Sequence, residues 1–317
     1  MRQGGIRNVA VVGCGTIGAS WAALFMAHGL DVSATDLRPE AEDALRQAVA
    51  AFTPSLKGQL NQSGGRLGSL SFTLDIEACC RNADFIQENA TERLDQKVEL
   101  MSRIDAASRP DVVIASSSSA IGVSDMQRSC VRSERVILGH PFNPPHLVPL
   151  VELVGGKDTE NWALDKAEAF YRSLGKTPIR LNKEVFGHVA NRLQAAVFRE
   201  AVSLLRSGVA TASDIDKAVT EGPGLRWALM GPFLTYHLAG GRDGIRGFMS
   251  QFSPMQRTLW AQLDHSEFNA ALQQDVVSAV EAAFAGHSIE EFAEKRDRRI
   301  EALLRTRSED LESGSAS

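Results

Sequence analysis

The chain has 317 residues, 44% of them hydrophobic, and a net charge of −5; that is more than one domain usually holds and enough apolar material for substantial cores, so two globular domains are expected. No run of Lys and Arg forms a stripe suited to phosphate backbones, which removes nucleic acid from the expected partners. No apolar run reaches the roughly 18 residues that a bilayer span needs, and the N-terminal apolar segment breaks at glycines without a cleavage-site pattern, so a soluble cytoplasmic protein with no membrane partner is expected. Cys14, Cys79, Cys80 and Cys130 show no CxxC spacing, which predicts free thiols and no metal site.

Residues 8–12 read as a short buried strand, followed by G-C-G-T-I-G with Gly13, Gly15, Thr16, Ile17 and Gly18, then an apolar helix over 17–28 stopped by Gly29. Strand, glycine turn and helix in that order are the fingerprint of a dinucleotide site. Gly13 allows the tight turn, Gly15 lets backbone approach a pyrophosphate, and Gly18 lets helix pack close on strand. A second strand, 31–35, ends at Asp36, eighteen residues beyond Gly18. An acid there binds the adenosine ribose hydroxyls and repels a 2′-phosphate, so NAD is expected over NADP, with Arg38 close by to soften that preference.

Further strands are expected at 84–87, 112–115, 136–138 and 150–154, giving a Rossmann-type, doubly wound parallel sheet. Ligands of such sheets lie beyond the carboxyl ends of the strands. Three segments occur there, 88–97, 116–119 and 140–143, with Ser117 and Asn143 as candidate cofactor contacts. His140 ends an apolar run, and Glu152 follows twelve residues later across the proline-rich loop. A histidine takes a proton near neutral pH, and a buried carboxylate on its other nitrogen fixes the tautomer, so the pair suggests a general base and the group that orients it. For an isolated pair, a satisfied core histidine with an unrelated strand glutamate is the commoner explanation.

After Lys183 the pattern becomes helical. A long helix is expected over 187–206, stopped by Gly208, and Ser288 with Glu291 forms a capping box for a final helix running towards Leu304. The expected organisation is therefore an NAD-binding domain over 1–184 and an all-helical substrate-binding and dimerisation domain over 185–317. Residues from about 308 to 317 are expected to be a disordered tail.

The glycine turn, NATERLDQK, SSSSA, GHPFNPP, VELV and GHVANRLQ occur in the order that resembles the 3-hydroxyacyl-CoA dehydrogenase superfamily, over nearly the whole chain. Within it, GPGLRWALMGPFLTYHLAGG resembles the branch holding the L-carnitine dehydrogenases, with lambda-crystallin, an L-gulonate 3-dehydrogenase, as a near relative. The resemblance implies His140 as general base with Glu152 as its partner. It also implies Ser119 and Asn191 on the substrate oxygen, and Glu92 and Lys97 near the nicotinamide ribose. The family's Asn-Thr is replaced here by Ser117 and Ser118, which leaves open which serine of 116–119 faces the substrate. Asn191 as a helix cap, and Glu92 with Lys97 as a surface ion pair, are the plainer alternatives.

The expected reaction is NAD-dependent oxidation of a 3-hydroxyl to a 3-ketone, on a small 3-hydroxy acid. A coenzyme A thioester would need cations, yet over 39–74 the chain offers Arg46, Lys57 and Arg66 alone. A quaternary ammonium such as carnitine's would suit an aromatic cage from Trp227, Phe233, Tyr236, Phe248, Phe252 and Trp260, with Arg226 for the carboxylate. Those aromatics serve equally well as ordinary helical core. Acyl-CoA and gulonate dehydrogenases, and a non-catalytic NAD-binding protein, are the alternatives; a homodimer is the expected assembly.

Overall fold

The computed structural model describes residues 5–62, 64–264 and 267–314. They divide into two compact units: residues up to Val189 together with the chain from Ala293 on, and Ala190–Phe292.

The first unit is built on an eight-stranded sheet in the order β3-β2-β1-β4-β5-β6-β7-β8. Its strands are β1 (Asn8–Val12), β2 (Asp31–Thr35), β3 (Leu70–Thr73), β4 (Phe85–Glu88), β5 (Val113–Ser116), β6 (Val136–Pro141), β7 (Leu150–Gly155) and β8 (Thr177–Arg180). The helices between them are α1 (Thr16–Ala27), α2 (Ala41–Phe52), α3 (Lys57–Gln62), α4 (Ile76–Arg81), α5 (Leu94–Ala107), α6 (Val123–Met126) and α7 (Asn161–Ser173). Strand residues alternate between two cores, the geometry of a sheet covered on both sides. Val9, Val11, Phe85 and Val113 pack with Trp21 and Phe25 of α1 and Phe170 of α7. Ala10, Val12, Ile86 and Ile114 pack with Cys79, Met101 and Ile104 on the other side. The four cysteines are free thiols.

The sheet is mixed rather than wholly parallel: β6 and β7 pair antiparallel, while β7 and β8 run parallel to each other. The sequence does not show this, because a strand's apolar alternation is the same in either direction. The strand β6 continues through His140 to Pro141, past the expected end at Leu138, and β3 and β8 add strands too short and polar to be read from pattern.

The second unit contains α8 (Ala190–Arg206), α9 (Ala212–Thr220), α10 (Pro223–Trp227), α11 (Pro232–Ala239), α12 (Gly244–Gln262) and α13 (Ala270–Ala283). The helix α8 begins three residues later than the expected 187, because Gly187 and His188 both take left-handed φ. Gly208 ends the segment with φ 67°. The last helix, α14 (Ile289–Gly314), opens with the full capping box: Ser288 N donates to Glu291 Oε2 at 3.0 Å, and Glu291 N donates to Ser288 Oγ at 3.1 Å. It runs through Gly314, across most of the stretch expected as a disordered tail; residues 315–317 lie outside the described residues. Among the described residues no helix is long and apolar enough to cross a membrane.

Candidate active site

The glycines of the turn are held apart by what each would meet if it carried a Cβ. At Gly18 a Cβ would fall 1.9 Å from the Gly13 carbonyl oxygen, and at Gly13, with φ 90°, it would lie 2.8 Å from Ala90 N. At Gly15 it would meet nothing within 4 Å. Two of these positions are therefore closed by the protein itself, and Gly15 alone borders free space at the start of α1. No acidic residue occupies the first turn of α1, so its N-terminal amides and positive dipole end are available to an anion, with Thr16 exposed and Ile17 half-buried beside them.

Asp36 lies against the same turn. Its Oδ2 accepts from Cys14 N at 3.0 Å, and its Oδ1 accepts from Arg38 N and Nε, each at 3.2 Å. Burial works against the charge, but these hydrogen bonds outweigh it and hold the carboxyl below the usual range. An ionised acid one strand away from an open phosphate cradle fits the adenosine half of NAD.

The antiparallel register of β6 and β7 sets His140 directly opposite Glu152. His140 Nδ1 lies 2.9 Å from Glu152 Oε2, with the residues 4% and 0% exposed. A carboxylate only accepts, so Nδ1 carries the proton and Nε2 presents its lone pair. Ser119 Oγ sits 3.1 Å from that Nε2, and the other carboxylate oxygen of Glu152 accepts from Val189 N at 2.8 Å.

Each serine of the run has a different partner. Ser116 Oγ donates to Glu88 Oε2 at 2.6 Å, Ser117 Oγ to Asn89 Oδ1 at 2.7 Å, and Ser118 Oγ to Glu92 Oε2 at 2.8 Å. Ser119 alone reaches His140. Ser117 also accepts from Gln87 Nε2 at 2.9 Å and Trp21 Nε1 at 3.3 Å, which ties it into the sheet. Glu92 holds the loop from the other side, accepting from Ser119 N at 2.6 Å.

Lys97 is not Glu92's surface partner. It is 1% exposed, and its ammonium donates to Glu88 Oε1 at 2.9 Å, Glu88 Oε2 at 3.1 Å and the Ala90 carbonyl at 2.9 Å. Those three donors fasten the end of β4 beneath the glycine turn. Asn143 is exposed two residues beyond the end of β6, followed by a cis bond to Pro144.

The remaining candidates belong to the second unit. Asn191 is the second residue of α8, inside the helix rather than at its cap. Arg226 and Trp227 close α10, and Phe233 and Tyr236 lie on α11. The six aromatics do not form one cage among themselves: Tyr236, Phe248 and Phe252 stack in sequence, with centroids 4.7 and 5.3 Å apart. Trp227, Phe233 and Trp260 stand 44%, 88% and 70% exposed.

Sequence reasoning placed Glu88 and Asn89 within the segment 88–97 without giving either a role, and passed over Lys176 and His188. Glu88 ends β4 and Asn89 follows it, where ligands of such sheets gather. Lys176 is buried with its ammonium on the carbonyls of Pro145 and Val148, the latter at 2.8 Å, and over the Trp21 ring at 5.3 Å. It thus fastens the proline loop that follows His140. A lone lysine after a glycine gives no sequence signal of this.

Glycine turn, strand-end acid and an oriented histidine beside a serine hydroxyl define an NAD-dependent dehydrogenase acting on a CH–OH group. The chain belongs to the 3-hydroxyacyl-CoA dehydrogenase family: the model of its NAD-binding domain matches residues 8–185 and that of its C-terminal domain residues 187–278. It is 46% identical over 299 residues to an L-carnitine dehydrogenase of Pseudomonas sp, covering 94% of this chain and 93% of the relative. Identity to the L-carnitine dehydrogenase of Bacillus cereus is 43% over 304 residues, covering 96% and 93%. Among solved structures, an NAD+ dependent dismutase, 5-formyl-3-hydroxy-2-methylpyridine-4-carboxylic acid 5-dehydrogenase, superposes with TM-score 0.80 at 29% identity, over 95% of this chain and 98% of that one. The (S)-3-hydroxybutyryl-CoA dehydrogenase of Ralstonia eutropha superposes with TM-score 0.64 at 27% identity, over 86% and 94%.

Proposed function

We propose that this chain oxidises the 3-hydroxyl of L-carnitine to the ketone of 3-dehydrocarnitine, with NAD as acceptor. The observation that carries this reading is the Ser119–His140–Glu152 chain, in a protein 43–46% identical to L-carnitine dehydrogenases over nearly its full length.

His140 Nε2 accepts the hydroxyl proton, and the ring, now an imidazolium, is stabilised by Glu152 through Nδ1. Ser119 Oγ, within hydrogen-bond reach of the same Nε2, holds the substrate oxygen as it passes from hydroxyl to carbonyl, and Asn191 is assigned the second contact to that oxygen. Bound NAD would supply the acceptor for the hydride of the C3–H bond, and the O–H proton would rest on His140, so one hydride and one proton are accounted for. Gly15 with Thr16 and Ile17 at the start of α1 would receive the pyrophosphate, Gly13 and Gly18 shaping the turn that presents them; Asp36 would take the adenosine ribose, and Glu92 and Asn143 the nicotinamide half. Lys97 and Ser117 act on that site from below, by holding Glu88, Asn89 and the turn.

A small substrate is favoured by the surroundings of the first unit's cations. Over 39–74 the cations are Arg46, Lys57 and Arg66 alone, and two of them are already paired, Arg46 with Glu42 at 2.7 Å and Arg66 with Asp31 at 3.4 Å, which leaves little charge for the phosphates of coenzyme A. Arg226 and the exposed Trp227 and Phe233 are assigned to the carboxylate and the quaternary ammonium. We infer too that the chain works in the cytoplasm as a homodimer, supported by the exposed Leu193, Val197 and Phe198 along one stripe of α8.

The test is NADH formation from L-carnitine, L-gulonate, 3-hydroxybutyrate and 3-hydroxybutyryl-CoA. Turnover on L-carnitine is expected; turnover confined to the thioester would overturn the substrate. His140→Ala is expected to lose about 10²- to 10⁴-fold in kcat while NAD still binds, as measured by fluorescence titration.

A further inference from the structure

Just before α8 the backbone turns left-handed twice, at Gly187 with φ 76° and at His188 with φ 51°. Among the described residues His188 is the one non-glycine residue with positive φ, a conformation that crowds any side chain bearing a Cβ and persists where the surroundings enforce it. The turn touches both ends of the catalytic chain. Val189 N donates to Glu152 Oε1 at 2.8 Å, and His188 Nε2 lies 3.1 Å from the carbonyl oxygen of Ser118, the residue before Ser119. Between these two anchors the His188 ring stands against His140, with centroids 4.8 Å apart and planes at 51°.

A carbonyl oxygen only accepts, so the contact to Ser118 fixes the proton of His188 on Nε2 and leaves Nδ1 as a lone pair. That Nδ1 is buried without a hydrogen-bond partner among the described residues, in a side chain 4% exposed. Burial lowers the ring's affinity for a proton; the Ser118 carbonyl opposes this, His140 reinforces it, and Glu152 and Glu92 oppose it. A charged ring here would repel the imidazolium that forms on His140, whereas a neutral one does not.

We propose that His188 is a positioning residue for the proton transfer: by holding the Ser118 carbonyl it keeps Ser119 Oγ on His140 Nε2, while Val189 of the same turn holds Glu152. This rests on His140 being the proton acceptor. With the Ser118 carbonyl released, Ser119 Oγ is free to leave the place beside Nε2 from which it holds the substrate oxygen.

His188→Gln and His188→Phe bear the same left-handed backbone, so comparing them isolates the donor to Ser118. Glutamine places an N–H near the position of Nε2, and phenylalanine keeps a ring without it. The Phe variant is expected to lose roughly five- to tenfold in kcat relative to Gln, with the Gln variant near the wild-type kcat and the affinity of both for NAD unchanged. Equal kcat in the two variants would overturn the proposal. A second measurement needs no variant: ¹⁵N NMR of the unmodified protein is expected to show His188 neutral and protonated on Nε2 at neutral pH, and a proton on Nδ1 would overturn the proposal even if the Phe variant failed to fold. Should L-carnitine prove not to be the substrate, the Gln–Phe comparison runs unchanged on whichever 3-hydroxy acid the wild type oxidises. Retention of turnover by His140→Ala would sink the underlying assignment, whatever His188 shows.

Discussion

At the scale of single residues, Glu152 does two things at once. One oxygen meets His140 Nδ1 and the other accepts from Val189 N, so its charge both orients the base and closes the turn behind it. Glu152→Gln keeps the shape and removes the charge that stabilises an imidazolium; kcat is expected to fall about 10²-fold or more, with NAD affinity unchanged, in steady-state assays beside fluorescence titration. A histidine and a glutamate bracketing a proline-rich loop suggested this pair, and the resemblance supplied its roles; that the two side chains meet is seen in the 2.9 Å contact. The roles of residues 116–119 were not legible in the sequence. Four identical side chains carry no information about which way each points, and only the path of the chain after Ser116 separates the partner of Glu88 from the partner of His140. Lys97 shows the converse. The resemblance implied a place near the nicotinamide ribose, whereas its burial against Glu88 depends on α5 bringing it under the end of β4.

At the scale of elements, the strand–turn–helix unit makes two opposed predictions. Gly18→Ala forces a Cβ into the Gly13 carbonyl, 1.9 Å away, and is expected to lower the melting temperature markedly. Gly15→Ala adds a methyl where the protein leaves space, so the apo melting temperature is expected to stay near wild type while NAD affinity falls at least tenfold, as read by calorimetry. A wild-type NAD affinity in Gly15→Ala would remove the pyrophosphate from that cradle.

The proline loop makes a third prediction. Burial pulls Lys176 from 10.5 down to about 7. Between those limits the unfolded chain holds a proton on this side chain that the folded one has released. Folding stability therefore gains from this group as pH rises from about 7 to about 10.5. Lys176→Met lacks the term, so urea denaturation is expected to show the wild type gaining on the variant across that window. A constant difference would place the ammonium in water. Elements with strong periodicity or a cap were readable: α1, α8 apart from its first turn, and the capping box of α14. The antiparallel turn of β7 was not, since pairing direction is decided by how the 142–149 loop folds back.

At the scale of the whole molecule, the division into two units and the family models fall close together along the chain, near residues 186–190. The change from alternating to helical pattern after Lys183 is what suggested two domains over 1–184 and 185–317; it gave no sign that the chain from Ala293 on groups with the first unit. The aromatic cage was read from the same pattern, and it illustrates a limit: aromatic residues at helical spacing look alike whether they face a core, as Phe248 does, or solvent, as Phe233 does. Light scattering is expected to give a mass twice that of one chain, and a monomer at assay concentration would overturn the homodimer.

Asp36 carries a consequence for changing the cofactor. Its carboxylate does not stand apart from the turn it neighbours: Oδ2 is hydrogen-bonded to Cys14 N, between the first two glycines. With the cofactor seated as proposed, selectivity against a 2′-phosphate and the shape of the pyrophosphate cradle would be wired through one side chain. Swapping Asp36 for a small neutral residue to admit NADP would unfasten the loop in the same stroke, and a working conversion needs a replacement that still accepts from that amide.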